Sequence, residues 1–186
     1  MNDTSKNKTV KNLTTAAICL ALCMVLPLFT GQIPQIGMAL APMHIPVLLC
    51  GFITGPLYAM IVGLIAPLLR MMTFGMPMPF MAITMCFELA AYGLIAGWLY
   101  RVFPKKAVYI YVSLIVAMLI GRIVWGLATL QMVKIAFLPL PMGWTQFGWD
   151  EFIATAFISA IPGIMLHIIL IPILVLALQK TRIVDS

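Results

Sequence analysis

The chain has 186 residues, 63% of them hydrophobic and 9% charged, with a mean hydropathy of +1.12; soluble domains carry about 25% charged residues, so this composition excludes one and predicts an integral membrane protein. The formal net charge of +6 arises from 11 basic and 5 acidic residues. Most of the basic ones stand in short clusters flanking apolar segments, which is a topology signal and excludes a nucleic-acid role.

A spanning helix needs about 20 mostly apolar residues, in a range of about 17 to 25. Six segments are read as spans: 12–30, 40–55, 57–73, 79–101, 107–133 and 150–179. The predicted fold class is an all-α integral membrane protein, a compact bundle of six transmembrane helices forming a single membrane domain over 1–186. Lys6, Lys8 and Lys11 before the first apolar run imitate a signal peptide, but no A-x-A-like cleavage site follows and further spans do, so retention as the first helix is expected. Gly55-Pro56 must turn the chain between the second and third spans, because 40–73 is too long for one helix and proline breaks a helix interior.

Basic residues set the orientation. Lys6, Lys8 and Lys11, then Arg101, Lys105 and Lys106, then Lys180 and Arg182 all fall on one side of a six-span chain, which the positive-inside rule makes cytoplasmic, with both termini there. Three loops are left for the outer side: Gly31 to Ala41, Phe74 to Met78, and Ile135 to Trp149. They are rich in Gly, Pro, Met and Trp, and Trp144 and Trp149 suit interfacial anchors. Small residues recur at helix-packing spacing at Ala17 and Ala21, Gly51 and Gly55, Gly93 and Gly97, and Ala156 and Ala160, either for packing within the bundle or for docking on a membrane partner. Cys19, Cys23, Cys50 and Cys86 lie inside apolar segments with no CxxC pair and no metal-ligand spacing, so they read as packing residues without a disulfide.

Arg122 is the first candidate for a ligand contact. A charge deep in an apolar span costs roughly 2.5 to 3.5 kcal/mol on insertion scales and so faces the protein interior or a water-filled cavity. With the fourth and fifth spans antiparallel about the Arg101 to Lys106 turn, Glu88 lies opposite residue 119, and Arg122 about one turn further out, close enough to pair. The neighbouring helical faces add Thr84, Met85, Ala91 and Tyr92 around Glu88, and Met118, Trp125, Gly126 and Thr129 around Arg122. The pair serves either assembly or ligand binding. Gln131 stands on the far side of its helix from Arg122 and joins only if the helix ends or turns there. Arg70, near the outer end of the third span, is either a ligand contact or a snorkelling anchor. Lys134 closes the fifth span. Asp150 and Glu151 open the sixth, where Asp150 suits a helix cap as well as a ligand. His44 reads as a satisfied structural histidine and His167 as facing no other ionisable group. Neither has the partner at i+3 or i+4 that a metal site needs, so no metal and no cofactor are expected. The methionines from Met71 to Met85 offer either a mouldable lining or plain filler.

The chain has no G-x-x-x-x-G-K-[ST], no G-x-S-x-G and no H-E-x-x-H, which disfavours an ATPase, a membrane hydrolase and a metalloenzyme. Few titratable groups lie within the spans, which disfavours a proton pump or channel. Binding of a small molecule near the outer face remains, and a stand-alone proton-coupled carrier using Glu88 is one form it could take.

The run Pro42-Met43-His44-Ile45-Pro46-Val47-Leu48-Leu49-Cys50-Gly51-Phe52-Ile53-Thr54-Gly55-Pro56 carries a resemblance, together with Ala17-Ile18-Cys19-Leu20-Ala21, Phe87-Glu88-Leu89-Ala90-Ala91-Tyr92-Gly93 and Ala160-Ile161-Pro162-Gly163-Ile164. Over nearly its whole length the chain resembles the S component of a bacterial energy-coupling factor vitamin transporter, and is most similar to the pantothenate-type members. The resemblance implies capture of a vitamin at the outer face of the cell membrane and toppling to release it inside. It implies two kinds of partner, a membrane coupling subunit contacted through Ala17 and Ala21, and two cytosolic ATPases. The loop from Gly31 to Ala41 would act as a lid. Ligand residues differ between vitamin classes, so the candidates above rest on burial; for pantothenate, the carboxylate would seek Arg122, Arg70 or Lys134, and Trp125 and Tyr92 would pack its apolar part or a flat ring.

Overall fold

The computed structural model describes residues 3–30, 40–135 and 148–180. Most of the Gly31 to Ala41 loop, nearly all of the Ile135 to Trp149 loop with Trp144, and Arg182 lie outside them. The described chain is helical throughout: α1 (Asp3–Val25) with a 3-10 turn (Leu26–Thr30), α2 (His44–Thr54), α3 (Pro56–Phe74), α4 (Pro79–Val102), α5 (Ala107–Ile135), α6 (Trp149–Ile153) with a π turn (Ala154–Ile158), and α7 (Ile161–Lys180).

Local chemistry sets these boundaries. Gly55, at φ 95°, closes α2 through its N–H to the Gly51 carbonyl at 3.1 Å, and Pro56 starts α3 at once, where its missing N–H costs nothing. Gly75, left-handed at φ 68°, caps α3 on the Met71 carbonyl. Pro79 opens α4, which stops at Val102 because Phe103, ahead of Pro104, is held extended.

Among the described residues, five helices are long and apolar enough to cross a membrane: residues Lys6–Phe29, then α3, α4, Ala107–Lys134 of α5, and α7. The expected second span falls short. α2 has 11 residues, about 16 Å at 1.5 Å per residue, roughly half the hydrocarbon thickness. The expected sixth span, 150–179, is also interrupted, with α6 and a π turn preceding the continuous helix α7.

α4 is the most buried of the long helices and packs against α3, α5 and α2. One core joins α2, α4, α5 and α7 through Leu48, Tyr92, Ile110, Leu114 and Ile171; the other joins α1, α2, α3 and α4 through Cys19, Val47, Ala59, Val62 and Leu89. Short α2 is therefore shared by both. Its Gly51 meets Gly93 and Gly97 of α4 so closely that a Cβ on Gly51 would stand 3.0 Å from the Gly93 carbonyl oxygen, so these small-residue pairs serve packing inside the bundle. Ala17 and Ala21 face outward on α1 instead. All four cysteines are buried free thiols.

The surface is apolar in helical register. Val108, Ile115, Leu119, Ile123 and Leu127 form an exposed stripe along α5, and Ile161, Met165, Ile169 and Ile173 one along α7. Polar side chains turn inward while apolar ones face out, the arrangement a hydrocarbon solvent selects. The start of α1 and the ends of α2 and α4 lie together, since Lys8, Lys11, Thr54 and Arg101 line one cavity. α7 also ends there, with Gln179 Nε2 donating to Tyr100 Oη at 2.6 Å. The basic clusters among the described residues thus gather at one end of the bundle.

Candidate functional site

Four helices bring polar side chains to one depth. Counting from the basic end at 1.5 Å per residue, Glu88 lies about 21 Å up α4, Arg122 about 22 Å up α5, His167 about 20 Å up α7, and His44 about 15 Å up α2. Because α2 is short, its first residue lies within the bundle instead of at the rim. There, Arg122 Nη1 reaches Glu88 Oε1 at 2.9 Å, Tyr92 Oη donates to the same oxygen at 3.0 Å, and His44 Nε2 approaches it to 3.5 Å without hydrogen-bond geometry. The imidazole rings of His44 and His167 stack with centroids 5.9 Å apart, and Tyr92 lies 5.1 Å from His44.

Sequence spacing explains the α4 part of this cluster. Glu88 and Tyr92, four residues apart, share one helical face, so the phenol lies over the carboxylate. Gly121 makes the room, since a Cβ there would strike the Tyr92 ring. The carboxylate is 2% exposed and the guanidinium 12%. At such burial an ion pair repays its desolvation only with further hydrogen bonds, which Tyr92 supplies.

The cluster is incompletely satisfied. His44 Nδ1 and Nε2, His167 Nε2, Arg122 Nε and Thr129 Oγ1 are buried with no hydrogen-bond partner among the described residues. Each such atom costs about 1–3 kcal/mol if left unpaired. Together they offer donors and acceptors to a polar guest.

Above this floor, Trp125 is buried and its indole stacks on Phe152 at 6.3 Å and 22°. Phe152 meets Trp149 and Phe157 edge-on at 6.0 and 5.9 Å. Gly126 leaves space for the Phe152 ring.

The structure thus draws Glu88, Arg122 and Tyr92 together, with Trp125 and Thr129 further along the same helix as Arg122. Other candidates lie elsewhere. Arg70 is buried, but its Nη1 donates to the Met24 carbonyl at 2.8 Å and its guanidinium lies over Phe74, so it ties α3 to α1. Thr84 turns its hydroxyl to the Phe80 and Met81 carbonyls of its own helix. Gln131 and Lys134 are exposed, because α5 continues unbroken to Ile135. Asp150 is also exposed and does not cap. Glu151 does so, accepting from the Gly148 N–H at 3.0 Å. Two readings of the histidines change: His44 has no hydrogen bond among the described residues and only a 3.5 Å approach to Glu88, and His167 faces His44 and, through it, the ion pair. No i+3 or i+4 pattern could have revealed them, since they stand on different helices. Among the described residues no group of three or more His, Cys, Asp or Glu is arranged to hold a metal ion.

The family model described as ECF transporter, substrate-specific component matches residues 11–179. No curated protein and no solved structure matches the chain.

Proposed function

The chain belongs to the substrate-specific components of energy-coupling factor transporters, and we propose that it captures a vitamin on the polar cluster of Glu88, Arg122, Tyr92, His44 and His167. Family membership makes it a multi-pass membrane transport subunit, not an enzyme, working with a membrane coupling subunit and ATPases. In our reading the bundle stands in a bacterial cell membrane with its basic end in the cytoplasm, takes the vitamin from the outer side, and releases it inside by toppling on the coupling subunit, which Ala17 and Ala21 contact.

The observation that carries the site is the set of buried, unpartnered polar atoms around the ion pair. Pantothenate is the leading ligand. Its carboxylate suits the free Nε edge of Arg122, and its amide and hydroxyls suit His44, His167 and Thr129. Glu88 already balances the charge of Arg122, and Arg70 and Lys134 are placed elsewhere. That neutrality, with the Trp125–Phe152 stack, favours a second class, an uncharged flat ring such as riboflavin or pyridoxine. Niacin and folate complete the panel.

The test is a thermal-shift screen of the purified protein against these vitamins without ATP, followed by calorimetry. A ligand at about 100 times its dissociation constant stabilises by about 2.7 kcal/mol. A panel without a shift, or uptake into vesicles that hold this chain and no ATPase, overturns the reading. The latter outcome would establish the proton-coupled carrier, for which the approach of His44 to Glu88, with His167 stacked behind His44, is the supporting geometry.

A further inference from the structure

The second polar feature lies at the opposite end, remote from the vitamin cluster. A cavity of about 360 Å³ opens between the foot of α1, the last turn of α2 and the last turn of α4, lined by Asn7, Lys8, Lys11, Asn12, Ile53, Thr54 and Arg101. Among the described residues, three of the seven lining side chains are cations, two are amides and none is a carboxylate. One cation is built in. Arg101 Nη2 donates to the Thr54 carbonyl at 3.0 Å, and its guanidinium covers Gly55 so closely that any side chain there would collide with it. Gly55 is required for its positive φ, and its lack of a side chain leaves the seat that Arg101 takes.

We propose that this cavity binds a phosphate group, as the headgroup of an anionic phospholipid. Lys8, Lys11 and Arg101 converge from two helices on one volume, and the Asn7 and Asn12 amides add donors for phosphate or glycerol oxygens. At about 30 Å³ per water, the cavity has the volume of about twelve waters, enough for a phosphodiester and its glycerol. The choice of a lipid over a soluble phosphate rests on what adjoins it. Ile53 lines the cavity, and Val10 and Leu13 stand more than half exposed on the opposite face of α1, so the foot of this helix is set in apolar surroundings where a lipid headgroup is at hand. The cavity also lies at the basic end, where the end of α7 and the α4–α5 turn bring Lys180, Lys105 and Lys106 to the surface that anionic lipids occupy. A headgroup held there would join the foot of α1 to the Gly55-Pro56 turn.

The full chain is placed in phosphatidylcholine nanodiscs with and without phosphatidylglycerol, and bound lipid is counted by native mass spectrometry beside a melting curve. Retention of one phosphatidylglycerol, with a raised Tm, is expected. Lys8→Gln with Lys11→Gln, both at exposed positions, lowers that retention by about five-fold per cation. Arg101→Gln does the same, and the lysine pair keeps the test valid if Arg101→Gln fails to fold. Lys106→Gln with Lys180→Gln, at the same end but outside the cavity, leaves retention unchanged. Equal retention of the two lipids, or an equal loss in the Lys106 and Lys180 variant, overturns the site. Inorganic phosphate that raises the Tm in phosphatidylcholine alone and displaces phosphatidylglycerol overturns the lipid assignment.

Discussion

Arg122 and Glu88 meet at 2.9 Å inside the bundle, from helices joined by a four-residue turn about 20 Å away. The pair is nearly dry, and the carboxylate oxygen that takes the guanidinium also takes the Tyr92 hydroxyl.

Removing one partner leaves the other charge buried. Arg122→Met is expected to destabilise the protein by about 3–5 kcal/mol, and adding Glu88→Leu to recover most of that loss, since well-packed apolar replacements of a buried pair are often neutral. Thermal melts of the three proteins check this. The double variant also separates assembly from binding: it should fold and yet bind the vitamin at least ten-fold more weakly, and unchanged affinity would remove the pair from the site.

Gly121→Ala places a methyl against the Tyr92 ring and is expected to cost about 1–3 kcal/mol by overpacking. Combined with Tyr92→Leu, the same substitution should cost markedly less than it does alone. A double-mutant cycle on melting free energies measures the coupling.

His44→Phe and His167→Phe remove the buried ring nitrogens that lack a hydrogen bond among the described residues and leave apolar rings in their place. Stability should stay level or rise, while calorimetry should show affinity for the vitamin falling ten-fold or more. A loss of stability with affinity intact would make the stacked imidazoles structural.

Ala17→Trp and Ala21→Trp add bulk to the outward face of α1. Melting temperature and vitamin binding should match the parent, while co-purification with the coupling subunit is lost. Retained co-purification would move the docking surface elsewhere.

The helices were legible because lipid solvent demands long apolar runs and Gly and Pro punctuate them. The Gly55-Pro56 turn is where the residues place it, and Glu88 and Arg122 pair as antiparallel counting allowed, at one depth instead of the one-turn offset it gave. Sequence counting overestimated α2. Residues 40–43 are as apolar as the helix that follows, but Ala41 takes a positive φ of 46° and Pro42 and Met43 form the turn before His44. The interruption of the sixth span is invisible in the sequence because a π turn leaves hydropathy unchanged. Arg70 illustrates a different limit, since nothing local says that a buried arginine will find the Met24 carbonyl on another helix.

By itself, the sequence determined that the chain is a membrane bundle, how its ends are charged, which residues are too polar to face lipid, and the family it resembles. The first three follow from composition and spacing along one chain, and the last from the likeness of particular runs. The tertiary structure decided which polar groups meet. His44 and His167 are 123 residues apart, and they stack only because a half-length α2 starts at mid-depth beside α4 and α7. Polar groups in an apolar bundle must find partners across helices, and that choice is made by packing and by helix length.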